Sequence, residues 1–206
     1  MGMASATQQA FRIRDGQSAP YNCASNWAAA LNVRATIVAG DDFAVRISVE
    51  ETAGGGFNLN SHLFYSRNGG TWTEVDDVSS VVREVDNTGT ADDYLLTSEC
   101  LGSHALTFVS GRFSDDGAAT STISINNHWT ESEHHMELIE ADVDDGDVIE
   151  FRVYDGTSAL ASYSRNASIE VSKSSTTLVN KDMQAKWDIR ELIYKDFQAK
   201  WDITTL

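Results

Sequence analysis

From Phe43 to Glu50 the chain alternates strictly. Phe43, Val45, Ile47 and Val49 occupy one parity, and Ala44, Arg46, Ser48 and Glu50 the other. Successive side chains of a strand point to opposite faces, so a period of two predicts a strand with one buried face. The polar parity makes this a half-buried antiparallel strand. The same reading applies to Phe11-Arg12-Ile13-Arg14, with both arginines facing away from the core, and to Val148–Tyr154, with Ile149, Phe151 and Val153 inward. Leu63–Ser66 and Thr71–Val75 flank Asn68-Gly69-Gly70, a hairpin signature in which asparagine and glycine accept the positive φ of the turn. Further strands read at Leu106–Val109, Thr122–Ile125, Met136–Ile139 and Tyr163–Val171, while 86–103 reads as loop and Ala28-Ala29-Ala30 as a brief helical stretch.

About eight to ten short strands separated by turn signals predict an all-β fold, an antiparallel β-sandwich of Ig-like or jelly-roll type. The sandwich is assigned to 11–171, preceded by an N-terminal arm at 1–10 and followed by a Ser/Thr/Lys linker at 172–177. The remainder, 178–206, is a tandem repeat. Lys181-Asp182-Met183-Gln184-Ala185-Lys186-Trp187-Asp188-Ile189 recurs at Lys195–Ile203 with only Met183 replaced, by Phe197, a period of 14 residues. Within each unit the apolar residues share one parity, which favours amphipathic strands. A helix is the alternative, because Met183, Trp187, Tyr194, Phe197 and Trp201 also fall near heptad spacing. On a helix, Ile189, Leu192 and Ile203 would leave that stripe.

The formal charge of −16 disfavours nucleic acid and anionic lipid as partners, since both need clustered Lys and Arg. No apolar run reaches the ~18 residues of a membrane span. Residues 1–10 carry neither a basic patch nor an apolar run, so a secretory signal is not expected and synthesis in a cytoplasm is. In that setting Cys23 and Cys100, the two cysteines, are read as buried thiols in preference to a disulfide.

His128, His134 and His135 lie near Glu131, Glu133 and Glu137, but on a strand His134 and His135 point oppositely. The group is read as a solvated edge strand rather than a metal site. Asp142, Asp144, Asp145 and Asp147 surround Gly146 without EF-hand spacing, so an acidic hairpin turn is expected rather than a calcium loop. Ser66–Trp72 is one residue short of the Asp-box turn of sialidase-like propellers, and a hairpin with a packed tryptophan accounts for it. Asn166-Ala167-Ser168 is a glycosylation triplet read as coincidental. There is no phosphate-cradling glycine loop, nucleophile elbow or His-Glu-x-x-His. No catalytic residue, cofactor or metal is therefore assigned.

The Gln-Ala-Lys-Trp-Asp-Ile units at 184–189 and 198–203 resemble the short Trp-Asp-Ile/Val repeats at the ends of tailed-phage structural proteins. Residues 11–171 are similar to a β-rich module of phage and metagenomic proteins through Phe11–Arg14, Phe43–Ile47, Phe64–Trp72 and Gly146–Val153. The resemblance implies a non-enzymatic virion component, and within that class a capsid decoration (cement) protein is favoured over a tail component. The expected partners are further copies of the chain and the major capsid protein. The expected interface is Met183, Trp187, Ile189, Tyr194, Phe197, Trp201 and Ile203, an apolar set that an isolated hairpin could not leave uncovered in water. A tail-borne domain for host-surface glycan is the alternative, which aromatic side chains on one sandwich face would favour. A glycan hydrolase would instead show paired carboxylates in a cleft.

Overall fold

A computed structural model of the chain describes residues 5–16, 23, 26–86, 90–102, 104–115 and 122–173. In chain order its strands are β1 (Ala6–Asp15), β2 (Ala35–Val38), β3 (Asp42–Glu51), β4 (Phe57–Leu59), β5 (Ser61–Arg67), β6 (Thr73–Glu74) and β7 (Val82–Glu84). They continue with β8 (Leu95–Leu96), β9 (Thr107–Phe108), β10 (Gly111–Ser114), β11 (Ile123–Ile125) and β12 (His128–Leu138). The last are β13 (Val148–Asp155), β14 (Ser158–Ala159), β15 (Ser162–Tyr163) and β16 (Ala167–Ser172). The fold is all-β, as the alternation predicts. The chain divides into two units, 1–173 and 174–206. The linker from Ser174 onward and the whole repeat tail, including all seven expected interface residues, lie outside the described residues.

Two sheets line one core. The first runs β15-β1-β3-β12-β10-β8, with β7 and β9 also on β12; the second runs β2-β16-β13-β5-β6, with β14 on β13. Phe43, Val45, Ile47 and Val49 of β3 meet Leu63, Tyr65, Ile149, Phe151 and Val153 of the second sheet in a single apolar cluster. Phe43 and Phe151 meet across it with ring centroids 6.0 Å apart. Gln8, fully buried, spans the two sheets: its amide donates to the Arg165 carbonyl at 2.6 Å and accepts from Val153 N at 2.9 Å. The 63–75 hairpin forms as expected, with Phe64 opposite Glu74 and positive φ at Asn68 and Gly69.

Several expectations are corrected. The sheets are mixed rather than antiparallel: β1–β15, β10–β12, β9–β12 and β2–β16 are parallel pairs. The 1–10 arm is not separate, because Ala6–Ala10 belong to β1. A register shift between Gln8 and Phe11 breaks the alternation there. Arg14 keeps the outer parity of β1, opposite Ala44, yet is buried there rather than exposed. Ala28–Ala30 are not helical; Trp27 bridges to Arg14, and Asn26 and Asn32 take positive φ. Tyr163–Val171 is two strands, not one, since β15 joins the first sheet and β16 the second. β3 is buried on both faces, with Ala44, Arg46 and Ser48 as hidden as Val45. A segment packed on one side by the opposing sheet and on the other by loops keeps its alternation but loses its solvated face.

Gly111 marks the closest approach in the first sheet. A Cβ there would stand 1.5 Å from the Glu131 carbonyl oxygen of β12. Gly111→Ala should therefore strip β10 from β12 and lower unfolding free energy by ~3 kcal/mol or more in urea titration. At the end of β3, Glu51 accepts backbone N–H groups from Ala53 (2.8 Å), Gly54 (3.2 Å) and Asn127 (2.8 Å). Burial pushes this carboxyl up, but the amide donors outweigh it and hold it below the usual glutamate range. The stabilisation is thus present above the unfolded value of ~4.3 and lost as pH falls through the depressed folded value. Urea titrations of Glu51→Gln and the parent should differ most near pH 7 and converge as pH drops below about 4.

Candidate functional site

Residues directly opposite in an antiparallel pair share a face. Arg46 faces Glu133 and Ser48 faces Glu131, so the polar parity of β3 and that of β12 build one layer on the outer side of the first sheet. There the Glu133 carboxylate accepts from Arg14 Nε at 2.9 Å and from an Arg46 amino group at 3.0 Å. Arg46 Nε donates to Glu131 and its other amino group to the Ser98 carbonyl at 2.6 Å. Glu131 also accepts the amides of Cys100 (2.9 Å) and Leu101 (2.8 Å). All four charged side chains are at most 1% exposed. Two guanidinium groups face two carboxylates, so the layer is neutral as a whole, which is the condition for burying charge at tolerable cost. Burial still pushes the Glu131 carboxyl up against the pull of Arg46 and the loop amides.

The loop over this layer is fastened covalently. Cys23 and Cys100 form a disulfide across 77 residues of sequence, correcting the expectation of two thiols. Trp27 donates its indole N–H to the Cys23 carbonyl at 3.1 Å and offers its ring to the Arg14 guanidinium, 4.1 Å from the ring centre. The β12 segment is therefore no solvated edge. It is a central strand whose outer face is roofed by residues 98–101.

The opposite face of β12 carries a second polar chain. His134 Nδ1 meets Glu84 at 2.7 Å, its Nε2 meets Ser61 Oγ of the second sheet at 3.3 Å, and Glu84 accepts from Ser114 Oγ at 2.9 Å. The order carboxylate, imidazole, hydroxyl is that of an activated nucleophile. Ser61 is 1% exposed, however, and lies between the sheets, where no substrate carbonyl reaches it without parting them. The chain acts as an inter-sheet strap. Its three members are far apart in sequence and carry no local signal. His135 points away from His134, as strand geometry dictates, and bonds the Val85 carbonyl at 2.8 Å, while His128 sits at the strand's start. No group of three or more His, Cys, Asp or Glu converges as a metal site among the described residues.

The acidic turn at 142–147 is bonded to the β5–β6 hairpin. Arg67 pairs with Asp147 at 2.6 Å and with Asp144 at 2.9 Å. Asn68 donates to Asp147 at 2.7 Å and accepts Val148 N at 2.9 Å. Burial raises the Asp147 carboxyl, but the Asp144 amide, Asn68 and Arg67 together hold it below the usual range. The turn thus locks the tip of the β5–β6 hairpin. Ser66 Oγ, donating to the Gly70 carbonyl at 2.8 Å, braces the same tip from inside.

That hairpin delivers Trp72 to the outer face of the second sheet, where the sequence alone predicts no site. Register places Phe64 opposite Arg152 and Glu74, and His62 opposite Tyr154. Phe64 and Tyr154 stack with centroids 3.9 Å apart and planes 19° from parallel. The Arg152 guanidinium lies 4.2 Å from the Trp72 ring centre and 4.4 Å from that of Tyr163. Its Nε donates to Asn166 at 2.9 Å, and Asn166 reaches Glu150 at 3.4 Å. His62 pairs with Glu74. Phe64, Trp72, Arg152, Tyr154, Tyr163 and Asn166 are all partly exposed. The signal is present in the alternation for Phe64, Arg152 and Tyr154, which occupy the outward parity of β5 and β13, but not for Trp72, Tyr163 and Asn166, which lie outside those strands. Outward aromatics where polar residues normally stand are the informative exception. Searches of protein-family models, curated proteins and solved structures return no match for this chain.

Cys23→Ser should cost roughly 4 kcal/mol, since the closed loop is long. Hydrogen exchange should then show the Cys100 and Leu101 amides opening well before those of Val45 and Ile47. Equal protection in the two proteins would mean that the ion pairs alone hold the roof.

Proposed function

We propose that the chain is a non-enzymatic structural protein of a tailed-phage particle, and within that class a capsid decoration (cement) protein bound to the outer head surface through subunit contacts. The observation that supports this reading most directly is the use to which the described domain puts its ionisable groups. Arg14, Arg46, Glu131, Glu133, Glu84 and His134 are buried in networks that tie strands, sheets and loop together. Such a scaffold suits a component that must persist on a particle surface. The near-identical units at 181–189 and 195–203 supply the proposed fastener. Their Met183, Trp187, Ile189, Tyr194, Phe197, Trp201 and Ile203 would meet a second copy or the major capsid protein by strand addition. Apolar contact of this kind would offset repulsion between subunits carrying −16 each. The alternative, a tail-borne glycan-binding module, is favoured by the aromatic residues on the outer face of the second sheet.

Truncation after Lys173 should leave a domain that still unfolds cooperatively but no longer oligomerises or attaches to particles, as read by sedimentation and by co-purification with heads. A truncated protein that assembles like the full chain would remove the tail from this role. Quantitative mass spectrometry of purified virions should count the chain in hundreds of copies; a handful would place it at the tail tip instead.

A further inference from the structure

The geometry points to a carbohydrate-binding surface on the outer face of β5 and β13, built from Trp72, Phe64, Tyr154, Tyr163 and Arg152, whose ligand is a neutral pyranose chain. The assignment does not rest on the virion reading and holds for a head or a tail protein alike.

Arg152 makes one hydrogen bond, through Nε to Asn166, so its two terminal amino groups donate to no partner among the described residues. A guanidinium presents its donors in a fixed fork. Here the fork is set against two aromatic rings, Trp72 and Tyr163, that hold it in place without consuming a donor. Beside it the Phe64–Tyr154 stack adds a second apolar surface, and the Tyr154 and Tyr163 centroids are 6.3 Å apart. Tyr163 is fixed in turn, its hydroxyl donating to the Val153 carbonyl at 3.1 Å and accepting Leu160 N at 2.9 Å.

A pyranose ring has the complementary make-up. Its axial C–H groups form an apolar face suited to an aromatic plate, and its vicinal equatorial hydroxyls suit a forked donor with nearby amide and carboxylate acceptors. Asn166, Glu150 and Glu74 supply the latter around the rings, with His62 paired to Glu74. Charge decides between neutral and acidic sugars. The face offers one guanidinium against the carboxylates of Glu150 and Glu74, on a chain of net charge −16. A polyanionic glycan would be repelled, whereas a neutral one meets only dipoles. The site is also preorganised. Trp72 follows a turn pinned by Arg67–Asp147, Asn68–Asp147 and Ser66–Gly70 bonds, so little freedom remains to be lost on binding.

The test uses the full chain, with cellohexaose, maltoheptaose and laminarihexaose as neutral probes and polygalacturonate as the acidic one. Tryptophan fluorescence and isothermal titration should show saturable binding of at least one neutral probe and weaker or no binding of polygalacturonate. Trp72→Ala and Arg152→Lys should each weaken that binding at least tenfold. The lysine variant keeps the charge and the fold but loses the fork, which guards against simple unfolding. Val33→Ser, half exposed and outside this face, should bind like the parent. Failure of all three neutral probes at millimolar concentration would overturn the assignment. So would tighter binding of polygalacturonate, or unchanged affinity in the Arg152 variant.

Discussion

Arg46 projects from the middle of β3 into a layer that contains no water-facing atom of its own, and the rest of the first sheet is arranged to receive it. It touches the Glu131 and Glu133 carboxylates of β12 and the carbonyl of Ser98. A guanidinium buried without such partners would cost several kcal/mol, a large share of a single domain's net stability. Glu133 therefore lies directly across from it and Glu131 two residues along the same face, opposite Ser48, which fits the register of β12 on β3. Arg14 must come in from β1 to balance the second carboxylate. The loop at 98–101 must then close over the layer, because its amides complete the shell of Glu131. The disulfide to Cys23 holds that loop where the charges need it.

This order of dependence explains how the domain spends its polar residues. Those nearest the middle of the chain's longest strands serve the fold itself: the ionic layer outside β12, and the Ser61–His134–Glu84 strap inside it. The acidic turn at 142–147 serves one step further out, by fixing the hairpin tip that carries Trp72. On the outer face of the second sheet aromatic rings and an arginine fork stand partly exposed, with the terminal donors of the fork unspent among the described residues. Rigid turns and a cross-braced sheet are what a surface needs if it is to hold rings at fixed spacing.

The chain's own order of residues determined the strands of strongest alternation, the Asn68-Gly69 hairpin and the inward set of Phe43, Val45, Ile47, Val49, Ile149, Phe151 and Val153. Local alternation and turn chemistry are properties of neighbouring residues, so a one-dimensional reading reaches them. The repeat at 181–203 is legible in the same way, as an identity of two segments. What lies opposite a strand is not local. Only tertiary structure decided that the polar parity of β3 is buried, because that depends on a loop some 50 residues away. It also decided that Cys23 meets Cys100, that the His134 segment is central rather than an edge, and that β15, β10 and β2 pair in parallel. The aromatic face is the intermediate case: the outward parity of Phe64, Arg152 and Tyr154 was readable, but their juxtaposition with Trp72 and Tyr163 required β5, β13 and β15 to be brought together by pairings that span a hundred residues of chain.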